Sequence, residues 1–266
     1  MTAPILSRPL ITLLTDFGLA DNFAGVLKGV IKSICPKADI VDISHGIEPQ
    51  NVLAGAIAWQ TAVRYFPPET IHLAVIDPGV GTARLAIAAQ TRDATFICPD
   101  NGLLTFVAKE QAIHRMVCIE NPAYRLSASR TFHGRDVFAP AAAHLAAGVS
   151  FKALGPEFKD FVRLPLTLPA VDDDLAIAHV VYFDTFGNAY TDLTEDAFEA
   201  WSPDVVEIKV AGRIVDGPVS AYAAVEEGRP LALFASHGRL EIAVRNGSAR
   251  STLGLSIGDE VHLRRR

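Results

Sequence analysis

A short, mostly apolar run at residues 72–76 breaks off at Asp77-Pro78-Gly79-Val80-Gly81-Thr82, with Arg84 just beyond. The run reads as a buried strand. Pro78 and Gly79 turn the chain, and Gly81 lets backbone come close to whatever lies there. In an open α/β sheet, ligands sit outside the carboxyl ends of the strands. A carboxylate at a strand end, with an arginine the loop can fold back towards it, therefore marks a candidate site. A turn carrying a surface ion pair is the alternative reading.

The rest of the chain supplies such a sheet. Strands are predicted at 10–15, 38–43, 85–91, 94–98 and 115–119, and helices at 21–34, 51–65, 103–109 and 136–147. Asp21 is placed as the N-cap of the first helix, and Pro36 marks that helix's end. Alternating strand and helix imply a mostly parallel sheet flanked by helices. Near Leu164 the texture changes. Residues 165–174 read as an extended linker. Short strands then follow at 175–183, 205–210, 213–214, 231–234, 240–244 and 260–263, separated by turns such as Gly187-Asn188 and Asn246-Gly247. The predicted class is thus an α/β N-terminal domain at 1–164, a linker at 165–174, and a small C-terminal β-barrel or sandwich at 175–266.

Half of the 266 residues are hydrophobic, enough for a substantial core and for an apolar subunit interface. A formal net charge of -6 argues against a nucleic-acid partner, and the basic end Arg264-Arg265-Arg266 reads as a solvated tail. Cys35, Cys98 and Cys118 form no Cys-x-x-Cys pair, so no metal set is visible and buried thiols of a reducing compartment are expected. Met1-Thr2-Ala3-Pro4 opens no signal region, and no run approaches membrane-spanning length. A cytoplasmic protein without membrane contact is expected.

Other polar clusters sit where strands end or helices begin. Asp16, in Thr15-Asp16-Phe17-Gly18, can accept both hydroxyls of a ribose, or simply cap a turn. No Gly-x-Gly-x-x-Gly follows that strand, which argues against an ordinary dinucleotide fold. His45, in Asp42-Ile43-Ser44-His45, reads as a structural histidine bonded to backbone. In Thr131-Phe132-His133-Gly134-Arg135-Asp136, Asp136 is the expected N-cap and Arg135 a partner for an ion pair. His133 is the ready proton carrier at neutral pH. In the C-terminal part, Asn188 can pair with an adenine edge or a polar amino-acid end, and Phe186 can stack. Hairpin turns would explain Asp184–Asn188 and Ser236-His237 equally well.

In this order and spacing, these motifs, with Pro99-Asp100-Asn101-Gly102-Leu103-Leu104, resemble the S-adenosylmethionine (SAM) hydroxide adenosyltransferase family, also called SAM hydrolases, relatives of the fluorinating and chlorinating SAM enzymes. The resemblance runs from Thr15 to about Leu263. It implies hydrolysis of SAM to adenosine and L-methionine by attack of activated water on ribose C5′, with no cofactor and no metal. It places a catalytic Asp-Arg-His triad on Asp77, Arg84 and His133. Asp16 would hold the ribose hydroxyls, and Asp184, Phe186, Asn188 and Ser236 would grip the methionine end and the neighbouring base. It further implies a homotrimer with active sites at subunit interfaces. Halogenating relatives carry an uncharged residue where this chain has Asp77, and an aromatic in place of His133. A chlorinase-like enzyme and a non-catalytic SAM- or adenosine-binding protein are the alternatives. His237, following Ser236, stands where relatives vary, so the methionine contacts are the least determined by resemblance.

Overall fold

In the first unit, β1 (Leu10–Thr15) feeds α1 (Phe23–Ile34), β2 (Asp39–Ser44), α2 (Val52–Val63) and β3 (Thr70–Val75). A hairpin of β4 (Ala86–Gln90) and β5 (Ala94–Pro99) follows, then a single turn of helix, α3 (Val107–Glu110), and β6 (Arg115–Cys118). These coordinates are a computed structural model that describes residues 8–126, 129–165, 170–172, 174–201 and 206–265. The chain divides between Leu164 and Pro165 into two compact units.

The six strands lie in the order β2-β1-β3-β5-β4-β6. The β2-β1-β3-β5 part is parallel, and β4 pairs antiparallel with both β5 and β6. Period-two geometry sends odd residues of β1 and β3 (Ile11, Leu13, Ile71, Leu73, Val75) into one core with Leu27 and Ile31 of α1. Even residues face the other way, where Thr12 bonds His72 and Trp59 of α2 meets Phe96 edge-on. All six residues of β3 are buried, as expected for a parallel strand covered on both faces. Gly55 lets α2 settle on the sheet, since a Cβ there would meet the Ile76 side chain.

Three local expectations are corrected. Asn22, not Asp21, stands at the N-cap of α1, and it makes no side-chain cap bond. The helix expected at 103–109 is confined to Val107–Glu110, preceded by turns. The helix expected at 136–147 begins earlier, as a π-helical turn at Gly134–Phe138 that runs into α4 (Ala139–Ala146). Asp136 therefore caps nothing. It is buried inside that turn, where it accepts Ser129 N–H at 2.8 Å and binds Arg135.

In the second unit, β7 (Ala170–Val171) pairs with β8 (Leu175–Phe183), and β9 (Ala189–Thr194) leads to α5 (Glu195–Trp201). Then come β10 (Val206–Val210), β11 (Arg213–Val215), β12 (Pro230–Phe234), β13 (Arg239–Val244), α6 (Ala249–Leu253) and β14 (Glu260–Arg265). Residues 166–169 and 173 of the expected linker, and residue 205 of an expected strand, lie outside the described residues. The order is β11-β10-β14-β8-β9-β13-β12. Strand β8 binds β14 along its first half and β9 along its second. A bridge between Asp216 and Leu231 joins the ends of the order, so the sheet is a nearly closed barrel around Val180, Ile208, Ile242 and Val261.

Candidate active site

The chain leaves β1 for β2 on one side, then crosses back to β3 on the other. At such a reversal an open α/β sheet offers a ligand crevice outside its carboxyl strand ends, here those of β1 and β3. Thr15 pairs with Val75 in register, so Asp16 leaves the end of β1 and Asp77 the end of β3 on the same edge of the sheet. Asp100-Asn101 follow the end of β5, and Asn101 Nδ2 donates to the Ile76 carbonyl at 2.8 Å, pinning the end of β3.

After β3 the loop closes through Val80 N–H to Asp77 O and Thr82 N–H to Gly79 O. This returns Arg84 onto Asp77. Arg84 Nε donates to Asp77 Oδ1 at 2.8 Å, and Nη2 donates to Oδ2, a bidentate fork. Nη2 also donates to His133 Nδ1 at 2.8 Å. Both members of the ion pair are nearly withdrawn from solvent, with side-chain exposures of 10% for Arg84 and 6% for Asp77. The guanidinium further lies 5.2 Å from the centre of the Phe138 ring.

His133 reaches Arg84 because two loops touch. Gly81 has φ +79, and a Cβ there would collide with the Arg130 carbonyl. Glycine is what lets the 77–84 loop lie against the segment carrying His133. On its other side, Asp136 holds the segment through Ser129. Gly134 is packed by Phe132, Phe17 and Leu27. Phe17, Phe23 and Phe132 meet edge-to-face with centroids 5.3 to 5.9 Å apart, an apolar wall beside Asp16 and His133.

A guanidinium has only donors, so His133 Nδ1 must be the acceptor and Nε2 carries the proton. Burial, followed by the charge of Arg84, pushes the His133 pKa down. The imidazole is therefore neutral at pH 7 and presents an N–H. The expected proton carrier is instead a donor while Arg84 holds it.

Asp16 accepts Gln50 N–H at 2.8 Å through Oδ2, which fixes its carboxylate at the crevice. Sequence reasoning missed Gln50, whose positive φ of 66 aims that N–H, because only the backbone group is used. It missed a second support too. His45 Nδ1 bonds Thr15 Oγ1 at 2.8 Å, and its carbonyl accepts Gly18 N–H at 2.7 Å, so His45 braces both sides of Asp16. Its Nε2 lies 3.2 Å from Asp42, which also pairs with Lys28. The expected structural histidine thus bonds a side chain as well as backbone.

In the second unit the turn after β8 is built by Asp184. Oδ1 accepts Phe186 N–H and Asn188 N–H, both at 2.9 Å. Oδ2 accepts Asn188 Nδ2 and Tyr190 O–H, both at 3.0 Å. Gly187 (φ +82) packs against Ser248, and Phe186 stands 77% exposed at the tip. Asp184, Phe186 and Asn188 therefore share one turn, with Ser236 in the loop between β12 and β13.

The sequence matches the SAM hydroxide adenosyltransferase N-terminal domain over residues 11–155 and the C-terminal domain of the same family over 178–262. The chain belongs to this family. Among its similar relatives is a protein of Thermus thermophilus named (R)-S-adenosyl-L-methionine hydrolase, 42% identical over 96% of this chain and 99% of that protein. A hydrolase of the same name from Methanocaldococcus jannaschii is 34% identical over 96% and 95%. A fluorinase of Actinopolyspora mzabensis is more distant, 28% identical over 73% and 74%. A solved structure from Thermotoga maritima, described only as an uncharacterized conserved protein, superposes with a TM-score of 0.88 at 40% identity, over 96% of this chain and all of that one.

Among the described residues of this family member, no three or more His, Cys, Asp or Glu side chains are grouped to hold a metal ion. No described helix is long and apolar enough to cross a membrane. Cys35, Cys98 and Cys118 are free and buried.

Proposed function

We propose that the protein hydrolyses S-adenosyl-L-methionine to adenosine and L-methionine. The observation that carries this reading is the half-buried Asp77–Arg84–His133 cluster beyond the carboxyl end of β3, in a chain of this family. In the reaction, a water oxygen bonds to ribose C5′ and the C5′–S bond breaks. The bonding pair goes to sulfur, which leaves as the neutral thioether of methionine. No general acid is needed for that departure. The difficulty lies in the nucleophile, because bulk water has a pKa of about 15.7.

Arg84 stays charged at any working pH and, with the Nε2–H of His133, can stabilise developing hydroxide. Each oxygen of Asp77 keeps a second lone pair after accepting from Arg84, so Asp77 is the acceptor for the water's proton. His133 is not assigned that role, because its free lone pair already accepts from Arg84. Hydroxide and sulfonium neutralise each other in the transition state, so a site walled by Phe17 and Phe132 favours reaction over the solvated ions. Asp16 would take the ribose hydroxyls, while Asp184, Phe186, Asn188 and Ser236 would take the base and the methionine end. SAM is the substrate, and no cofactor enters the scheme.

Incubating the pure protein with SAM and separating products by chromatography tests this directly. Equimolar adenosine and methionine are expected. Tight SAM binding without turnover, or 5′-chloroadenosine in chloride buffer, would refute it. A homotrimer with shared sites and a cytoplasmic location are finer parts of the same reading, supported by the resemblance and the buried thiols. A monomer by sedimentation, or a secreted protein by cell fractionation, would remove them.

A further inference from the structure

Beneath the 184–188 turn, Glu241 and Tyr190 are buried polar residues to which the proposed reaction gives no role. Glu241 of β13 stands opposite Tyr190 of β9, and Tyr190 opposite Tyr182 of β8, the two phenol rings stacked 4.6 Å apart. Glu241 is 0% exposed. Tyr222 O–H donates to its Oε1 at 2.7 Å. Its Oε2 is buried with no hydrogen-bond partner among the described residues, although Tyr190 lies beside the carboxyl. Tyr190 O–H is directed instead to Asp184 Oδ2.

Counting protons decides what Glu241 can be. Each phenol has one proton. That of Tyr222 goes to Glu241 and that of Tyr190 goes to Asp184, while Tyr182 stands across Tyr190 on the side away from Glu241 and gives it none. An ionised Glu241 would leave a buried anionic oxygen unpaired, with the Asp184 carboxylate across a single phenol, an arrangement that costs several-fold more than a neutral one. A protonated Glu241 has a hydrogen to give, and the oxygen of Tyr190 is the acceptor next to it. Asp184 is the charged group facing Glu241, with Tyr182, Tyr190 and Tyr222 as the other titratable neighbours. Arg239 of the same strand acts on Tyr182, and His237 packs on the Tyr190 ring. Burial, reinforced by the Asp184 charge and opposed by Tyr222 and Tyr190, pushes the Glu241 carboxyl up, in the direction the count requires.

We propose that Glu241 is a positioning residue for the amino-acid end of SAM: through Tyr190 it fixes the Asp184 carboxylate, while Tyr222 anchors its other oxygen. This rests on the reading that Asp184 holds that end of the substrate, by the charge of its carboxylate, since Phe186, Asn188 and Tyr190 already occupy its lone pairs. With the acid in place, the row Tyr222–Glu241–Tyr190–Asp184 runs donor to acceptor without a break. Ionisation of Glu241 would reverse its demand on Tyr190 and pull that phenol's proton away from Asp184. Weaker SAM binding at alkaline pH follows.

The test is steady-state adenosine release from about pH 6 to about pH 10, with thermal unfolding of each variant as a folding check. Glu241→Leu is expected to raise KM about tenfold and to change kcat less than about threefold, the scale of one lost hydrogen bond to a charged group. Glu241→Gln imitates the protonated acid. It should hold KM within about threefold of the parent near neutrality and lose the parent's alkaline rise in KM. Tyr222→Phe removes a donor that favours the ionised form, so its rise should move to higher pH. The α-amino group of SAM titrates alike with every variant, so the difference between parent and Glu241→Gln reports the protein group. A folded Glu241→Leu protein with parental KM, or a Glu241→Gln protein with the parental alkaline limb, overturns the proposal. Asp184→Asn separates the two failures. If it raises KM while the Glu241 variants do not, only the role of Glu241 falls. If it leaves KM unchanged, the reading of Asp184 falls and the role of Glu241 with it.

Discussion

Arg84→Lys keeps the positive charge of the cluster and removes its geometry. In the parent, one planar group donates through Nε and Nη2 to both oxygens of Asp77 and, through Nη2, to His133 Nδ1. A lysine ammonium is a point donor on a flexible stem and cannot hold both partners in one plane. If it reaches Asp77, His133 Nδ1 loses its donor, and the imidazole is free to move its proton from Nε2 to Nδ1. The N–H offered to developing hydroxide is then lost along with one guanidinium donor. Losing a single oriented donor to such charge costs about 3 to 4 kcal/mol. Turnover should therefore fall by roughly two orders of magnitude or more, with SAM affinity changing much less. The assay is single-turnover hydrolysis of saturating SAM by parent and variant at matched pH, with folding checked. A lysine variant within about threefold of the parent would show that charge alone suffices, and the oriented fork would have to be abandoned.

Gly81→Ala should separate the two loops: at φ +79 its Cβ meets the Arg130 carbonyl. A loss of about 1–3 kcal/mol in stability and at least a tenfold drop in kcat are expected, and parental values for both in unfolding and turnover assays would count against the loop contact. His72 is buried against Phe96 and Thr12, and burial lowers its pKa to about 3. Because the unfolded chain takes up a proton there that the folded chain refuses, stability is full above about pH 6.5 and is lost as pH falls from there towards the folded value. Between pH 7 and pH 5 this group alone should remove about 2 kcal/mol in urea unfolding, and an equal pH slope in His72→Gln would rule the effect out.

Local pattern determined a good deal of this protein. Residues 10–15 and 175–183 were legible as strands because apolar runs bounded by turn formers have few other uses, and both have those bounds in the structure. Strand β9 was missed: Ala189–Thr194 mixes Tyr190, Thr191 and Asp192, and its burial comes from β8 and β13 on either side. The start of the 134–146 helix was misplaced, since Asp136 looks like a cap until Ser129 and Arg135 are seen to hold it. The residue types of the candidate site could be named from the sequence, because carboxylates, an arginine and a histidine at strand and helix ends stand out among apolar neighbours. Their states could not. Arg84 and His133 are 49 residues apart, and only the backbone approach at Gly81 brings them into contact and makes the histidine a donor. In sequence Glu241 is only one residue of the short strand predicted at 240–244. Two cross-strand tyrosines, Tyr222 of a separate turn and a neighbouring aspartate, contributed by distant segments, decide that it is buried and what proton it holds, because register across a sheet is a property of the folded chain.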